Sequence, residues 1–302
     1  MDENLILEIL SKSYENVIIT VIKTENDLKA LAKRKPDLVF SGVKYVNFKK
    51  KEDIWLSDYL KEHHIDYITS NKEALSNEYF KDNAKNIVKN ANVNTAKFFT
   101  TQPDEHPTES SLPVTFPLFL KPITGGDSRG INPESVVFDF KKYQAKVLDI
   151  FETQQSRTLV ENYLSGKEYS VSIVENKSKN ILMILPVEII AVKNKNGHRV
   201  LDYEAKKNDL EEVIAVVDKK IKKELCNIAL NSFMALGGKT IGRIDIKTSY
   251  NGILHFIEAN LMPGLGNGYF ARSFMLNENM NYEQMILKIA DAGMILEEIT
   301  ED

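Results

Sequence analysis

The chain has 302 residues, 43% hydrophobic and 27% charged, enough to bury real cores and to divide into two or three domains. A formal net charge of -4 argues against a general nucleic-acid binder, and no apolar run approaches the roughly 20 residues of a membrane-spanning helix. The N-terminus MDENLILEILSKSY starts acidic, without a signal peptide's basic flank, and the single Cys226 cannot form an intramolecular disulfide, so a reducing cytoplasm is the expected setting.

In chain order, VIITVI at 17–22 is β-branched and predicts a buried strand, NDLKALAKRK a helix, and DLVFSGV a second strand ended by Gly42. The Lys49, Lys50, Lys51 run predicts a solvated loop. EDIWLSDYLKEHH has helical spacing in Ile54, Leu56, Tyr59 and Leu60, with Trp55 on its apolar side and His63 and His64 at its end, and DYITS predicts a short strand. These make a small parallel α/β unit over 1–75.

Residues 76–91 predict one helix carrying Lys81 and Lys85, and TTQPDEHPTESSLPVTFP is the most loop-like stretch. After it PLFLKP, VVFDF, a helix from about 140 to 153, TLVENYL and KEYSVSIVE have the pattern of an antiparallel sheet covered by helices. A polar stretch, VKNKNGHRVLDYEAKKND, separates ILMILPVEII from a helix expected near 211–236, and Met275, Met280 and Met285 are expected to fill gaps between the last helices.

Two further strands, GRIDI and HFIEAN, are apolar but interrupted. Arg243 and Asp245 sit two apart, as do Glu258 and Asn260, so each pair shares a strand face. Three hard oxygen ligands on two neighbouring strands suit Mg²⁺ bound between carboxylates and phosphates, with Arg243 free to stabilise an anionic transition state; salt-bridge or edge roles for the acids are equally consistent with the residues alone. In FLKPITGGDSRGI, Lys121 ends a strand and is followed by Gly125, Gly126, Ser128 and Gly130. Such a turn aims backbone amides at phosphate oxygens, although a plain hairpin reads the same way. It is neither a Walker loop nor GxGxxG.

The ordered set KPITGGDSRGI, VENYLSGKEYSV, DYEAK, GRIDI and FIEANLMPG resembles the ATP-grasp superfamily, in its D-alanine-D-alanine ligase-like group. The resemblance implies an α/β (α+β) ATP-grasp fold: an abbreviated N-terminal parallel α/β domain at 1–75, a central α+β lid domain at 76–165 and a C-terminal α+β domain at 166–302. It implies ATP held by Lys81, Lys121 and Ser128 at the phosphates, by Glu161 and the backbone at Leu164 at the adenine, and by Glu168 at the ribose. By the same resemblance, Lys206 is expected to reach the γ-phosphate from a mobile loop, Asp245, Glu258 and Asn260 to hold two Mg²⁺ ions, with Mn²⁺ a substitute, and Arg243 and the backbone at Gly264 to stabilise the tetrahedral intermediate.

The activity implied is ATP-dependent joining of a carboxylate to an amine through an acylphosphate, in a soluble enzyme acting on amino-acid or dipeptide substrates, with a homodimer as the family's usual assembly. The chain departs from the group where substrates bind. No Gly-rich loop with a glutamate precedes the first helix, SGVKYVNFKKKED stands where a His-Gly motif belongs, and GLGNGYFARS replaces a serine-rich segment after Pro263-Gly264. Asp127 takes the place of a serine and Lys207 of a tyrosine. A substrate pair other than two D-alanines follows, with Asp127, Lys207 and Arg272 as its candidate contacts; Arg272 is suited to grip a carboxylate. Authentic D-alanine-D-alanine ligation and a nucleotide-binding protein without catalysis remain the alternatives.

Overall fold

The computed structural model describes residues 3–48, 52–126, 128–176, 181–192, 208 and 210–294. Asp127, Lys206, Lys207 and the basic run at 49–51 lie outside the described residues.

Helix α1 (Glu3–Ser11) is followed by α2 (Glu25–Arg34). Thr24 sets the start of α2 by a reciprocal cap: its hydroxyl accepts from the Asp27 N–H while Asp27 accepts from the Thr24 N–H at 2.8 Å. Strand β1 (Leu38–Phe40) pairs in parallel with β4 (Asp66–Ile68), and the short β2 (Tyr45–Val46) and β3 (Ile54–Trp55) make a hairpin leading into α3 (Leu56–Glu62). The expected strand at 17–22 does not form. β-branched composition favours extended backbone but a strand needs a ladder, and here Val17 packs on one cluster with α1 while Ile22 packs on another with α2 and α3. Between these anchors Ile18, Ile19 and Val21 face solvent.

The single helix expected at 76–91 is two, α4 (Lys72–Tyr79) and α5 (Lys81–Asn90), because Phe80 adopts an extended conformation between them. A four-stranded antiparallel sheet follows, in the order β5 (Phe98–Thr101), β8 (Thr158–Asn162), β6 (Leu118–Pro122), β7 (Val136–Val137). Helix α6 (Phe140–Gln154) covers it, adding Tyr143, Val147 and Ile150 to a core with Leu118, Leu120 and Val160. VVFDF yields only the two residues of β7, since the Asp139 carboxylate accepts from the Lys142 N–H at 2.9 Å and starts the helix instead.

The second sheet has five antiparallel strands in the order β11 (Glu212–Ala215), β10 (Ile181–Ile190), β9 (Glu168–Asn176), β12 (Ile241–Thr248), β13 (Leu254–Asn260). One face packs Val171, Ile173, Ile244 and Phe256 against α4, α5 and α7 (Lys219–Ala235); the other packs Val174, Leu185 and Ile241 against α1, α8 (Tyr269–Glu278) and α9 (Tyr282–Gly293). Alternate residues of β9 serve the two faces, as the two-residue period requires. The helix expected from 211 begins only at Lys219: Val213 and Ile214 extend a strand along β10, and Asp218 caps the helix by accepting from the Lys220 and Ile221 N–H groups. Of the three methionines, Met285 is fully buried and Met280 partly so, but Met275 is 56% exposed and fills no gap.

Helices α4 and α5 thus pack on the five-stranded sheet, although they precede the four-stranded sheet in sequence. Residues 94–96 tie the two layers together. Thr95 bridges in parallel to Phe256, and the Phe256 N–H donates to the Asn94 carbonyl at 2.8 Å, on the outer edge of β13.

Candidate active site

Two clefts adjoin where the sheets face each other, and Glu258 lines both. The smaller, with about 680 Å³ of empty space, is walled by Lys121, Ser128, Glu161, Leu164, Glu168, Asp245 and Glu258 among others. The larger, about 1340 Å³, is walled by Lys81, Gly125, Arg243, Glu258, Asn260 and Gly264, with Lys44, Glu78, Glu211 and Tyr269.

In the smaller cleft, Glu161 on the inner strand β8 is sandwiched between two buried lysines. Lys121 Nζ from β6 lies 3.0 Å from Oε2, and Lys85 Nζ from α5 lies 2.5 Å from Oε1, close as an ion pair but without the alignment of a hydrogen bond. Burial works against the Glu161 charge, yet Lys121 and Lys85 outweigh it and hold the carboxyl below its usual range. Lys121 also stands 4.0 Å from Glu258. Glu168 is likewise engaged, accepting from Lys247 at 2.8 Å. Both carboxylates expected at the adenine and the ribose therefore face protein cations, and Leu164 lines the same cleft. Ser128 has a left-handed φ of 57° and is buried in the turn after β6.

The interrupted strands lie side by side as their spacing suggests. Arg243 pairs with Asn260 and Asp245 with Glu258 across β12 and β13, with a register shift just after Asp245. Arg243 forks onto Asp245, Nε to Oδ1 at 3.0 Å and Nη2 to Oδ2 at 2.9 Å, and Ser170 Oγ donates to Oδ1 at 2.7 Å. Burial opposes the Arg243 charge but Asp245 more than offsets it, pushing the guanidinium above its usual value. Asn260 Oδ1 accepts from the Met262 N–H at 3.2 Å. No group of three or more His, Cys, Asp or Glu side chains converges among the described residues. The candidate metal set is therefore two carboxylates and one amide. It suits a hard cation that also draws ligands from phosphate, with Asp245 committed to Arg243 and Ser170 in this arrangement.

Lys81 opens α5, where its ammonium donates to the Gly125 carbonyl at 2.6 Å and so touches the Gly-rich turn. Burial lowers it to about 8, against the pull of Glu258. Gly264 lines the larger cleft with open space where a side chain would stand. Arg272 lies on α8 and is not among the residues lining either cleft.

Lys44, Glu78, Glu211 and Tyr269 line the larger cleft and escape the sequence reading. Glu78, on α4, accepts from Lys44 Nζ at 2.5 Å and from the Leu261 N–H, which braces the backbone just beyond β13; burial raises its carboxyl, although Lys44 pulls the other way. Tyr269 donates its hydroxyl to Glu211 Oε1 at 2.6 Å, and Arg243 sits 5.7 Å from its ring centroid. The only signals in the sequence are negative ones: Lys44 and Tyr269 fall inside the two segments, SGVKYVNFKKKED and GLGNGYFARS, that depart from the resembled pattern.

The profile of the family described as D-ala D-ala ligase C-terminus matches residues 83–291. The D-alanine–D-alanine ligase of Aquifex aeolicus is 28% identical over 255 residues, 83% of this chain and 81% of that protein. Ligase A of Brucella suis is 26% identical over 225 residues, 72% of this chain but 62% of that one. Among solved structures, the D-alanine–D-alanine ligase of Bacillus anthracis superposes with a TM-score of 0.72 at 19% identity, covering 97% of this chain and 94% of that one. The same protein complexed with ATP gives 0.70 at 20% identity. At that identity these structures establish the ATP-grasp fold.

Proposed function

Because the chain belongs to the D-ala D-ala ligase family, and so to the ATP-dependent ligases that form carbon–nitrogen bonds, we propose that it joins the carboxylate of one amino-acid-like substrate to the amine of another, with release of ADP and phosphate. The observation that carries this reading is the junction at Glu258. A cleft with Lys121, Ser128 and Glu161 on its walls meets a roomier one with Arg243, Asn260 and Gly264, so a nucleotide and two small substrates have adjoining seats.

In the reaction, a carboxylate oxygen attacks the γ-phosphorus, the bond to ADP breaks, and an acylphosphate forms. The amine nitrogen then attacks the acyl carbon and loses a proton as phosphate departs. Lys81 and Lys121 offset phosphate charge that otherwise repels the incoming carboxylate, and Lys206 takes the same part at the γ-phosphate. Asp245, Glu258 and Asn260 would hold two Mg²⁺ ions, which supply further charge neutralisation when bound. Arg243, fixed by its fork onto Asp245, holds its positive charge in the cleft that Gly264 also lines, for the tetrahedral oxyanion.

We assign a substrate pair other than two D-alanines. What supports this is that Lys44 with Glu78, and Glu211 with Tyr269, line the larger cleft, and that Lys44 and Tyr269 belong to the two segments that depart from the resembled motifs. The names of the curated relatives favour a second reading, authentic D-alanine-D-alanine ligation. Phosphate release from ATP and Mg²⁺ across a panel of amino acids separates them. Stimulation by D-alanine alone identifies the authentic ligase, and stimulation by other acids or by pairs supports the altered specificity. ATP binding without turnover on any acid overturns the enzymatic reading.

A further inference from the structure

Among the described residues lining the larger cleft, each cation already faces an acceptor: Lys44 faces Glu78, Arg243 faces Asp245, and Lys81 faces the Gly125 carbonyl. Glu211 is the opposite case. It is only 8% exposed; Oε1 accepts from the Tyr269 hydroxyl, and Oε2 makes no hydrogen bond among the described residues. A buried carboxylate oxygen without a donor costs stability that a bound cation returns. Tyr269 has a single hydroxyl proton, and it is committed to Glu211. The phenol therefore has nothing to offer a substrate carboxylate, and its ring stands between Arg243 and Glu211.

Building on the ligase reading, we propose that Glu211, positioned by Tyr269, seats the ammonium group of the incoming amine, and that the acceptor is an amine without a neighbouring carboxylate, such as an amino-acid amide. An α-carboxylate placed beside Glu211 meets a like charge while the described cations lining the cleft are already paired, so a free amino acid is a poor acceptor. An ammonium finds a charge-assisted partner. Glu211 is thus a specificity residue for the second half-reaction, and Tyr269 a positioning residue.

The test uses the full chain with ATP and Mg²⁺. Trapping with hydroxylamine across a panel of acids first reports whether an acylphosphate forms, since that small nucleophile needs no ammonium seat. With the acid that gives hydroxamate, glycine, L-alanine and D-alanine are compared as acceptors with their amides. The amides are expected to win by about tenfold or more in kcat/KM, the size of one charge-assisted hydrogen bond. Glu211→Gln is expected to raise the amide KM by about tenfold while the KM for ATP stays put, and Tyr269→Phe to shift it in the same direction. Free amino acids matching their amides, or an amide KM indifferent to both substitutions, would overturn the assignment. Absence of hydroxamate with every acid would instead overturn the ligase reading beneath it.

Discussion

Glu161 shows how a fully buried charge is kept in place at the site: its two oxygens face Lys85 and Lys121. Glu161→Gln leaves two buried ammonium groups facing a neutral amide, and a loss of about 3–5 kcal/mol in urea denaturation is expected. Because the folded carboxyl lies below its ordinary 4.5, its contribution is complete above that value and fades as the pH falls below it. The glutamine variant should therefore lose part of the parent's acid-side decline in stability. Lys81 titrates on the other side of neutrality. With its ammonium lowered to about 8, kcat/KM for ATP should fall as the pH rises through 8, and Lys81→Met should be slower at neutral pH and flat across that range. At this scale the sequence is legible for charges that interrupt a strand, such as Asp245 and Glu258. It is silent on Glu211 and Glu78, which meet Tyr269 and Lys44 across long separations in the chain and leave no spacing to read.

Among the elements, β12 positions both Arg243 and Asp245, and its own placement depends on the residue before them. A Cβ on Gly242 would stand 2.7 Å from ring carbons of Phe233, a fully buried residue of α7 itself. Gly242→Ala is expected to cost about 1–3 kcal/mol as the strand or the ring shifts, with kcat falling as well because the Arg243 fork moves with the strand; thermal denaturation and steady-state kinetics report the two. The long strands β9, β10, β12 and β13 and the helix α6 are readable from apolar periodicity and caps. β11 is not. Four residues beside a helix-forming stretch are claimed by the edge of β10, and periodicity over so short a window cannot distinguish the two states. VIITVI fails for the complementary reason: local propensity is present but its ends are anchored to different clusters.

For the whole molecule, the proposed nucleotide seat between the two sheets makes a stability prediction, since a ligand that binds only the folded chain stabilises it. A non-hydrolysable ATP analogue with Mg²⁺, at a hundredfold over its Kd, should raise the unfolding free energy by about 2.7 kcal/mol and the Tm by several degrees. Glu258→Gln should weaken that gain if the metal bridges the phosphates there, and an equal gain in the variant would remove Glu258 from the metal set. The tie between residues 94–96 and β13 bears on more than the site. An outermost strand with free backbone groups is a template for stray chains, and a strand spending side chains on acids cannot also spend them on gatekeeping. Here the molecule's own backbone sits against that edge at Phe256, so self-association by strand addition is hindered at the border where the candidate metal ligands stand.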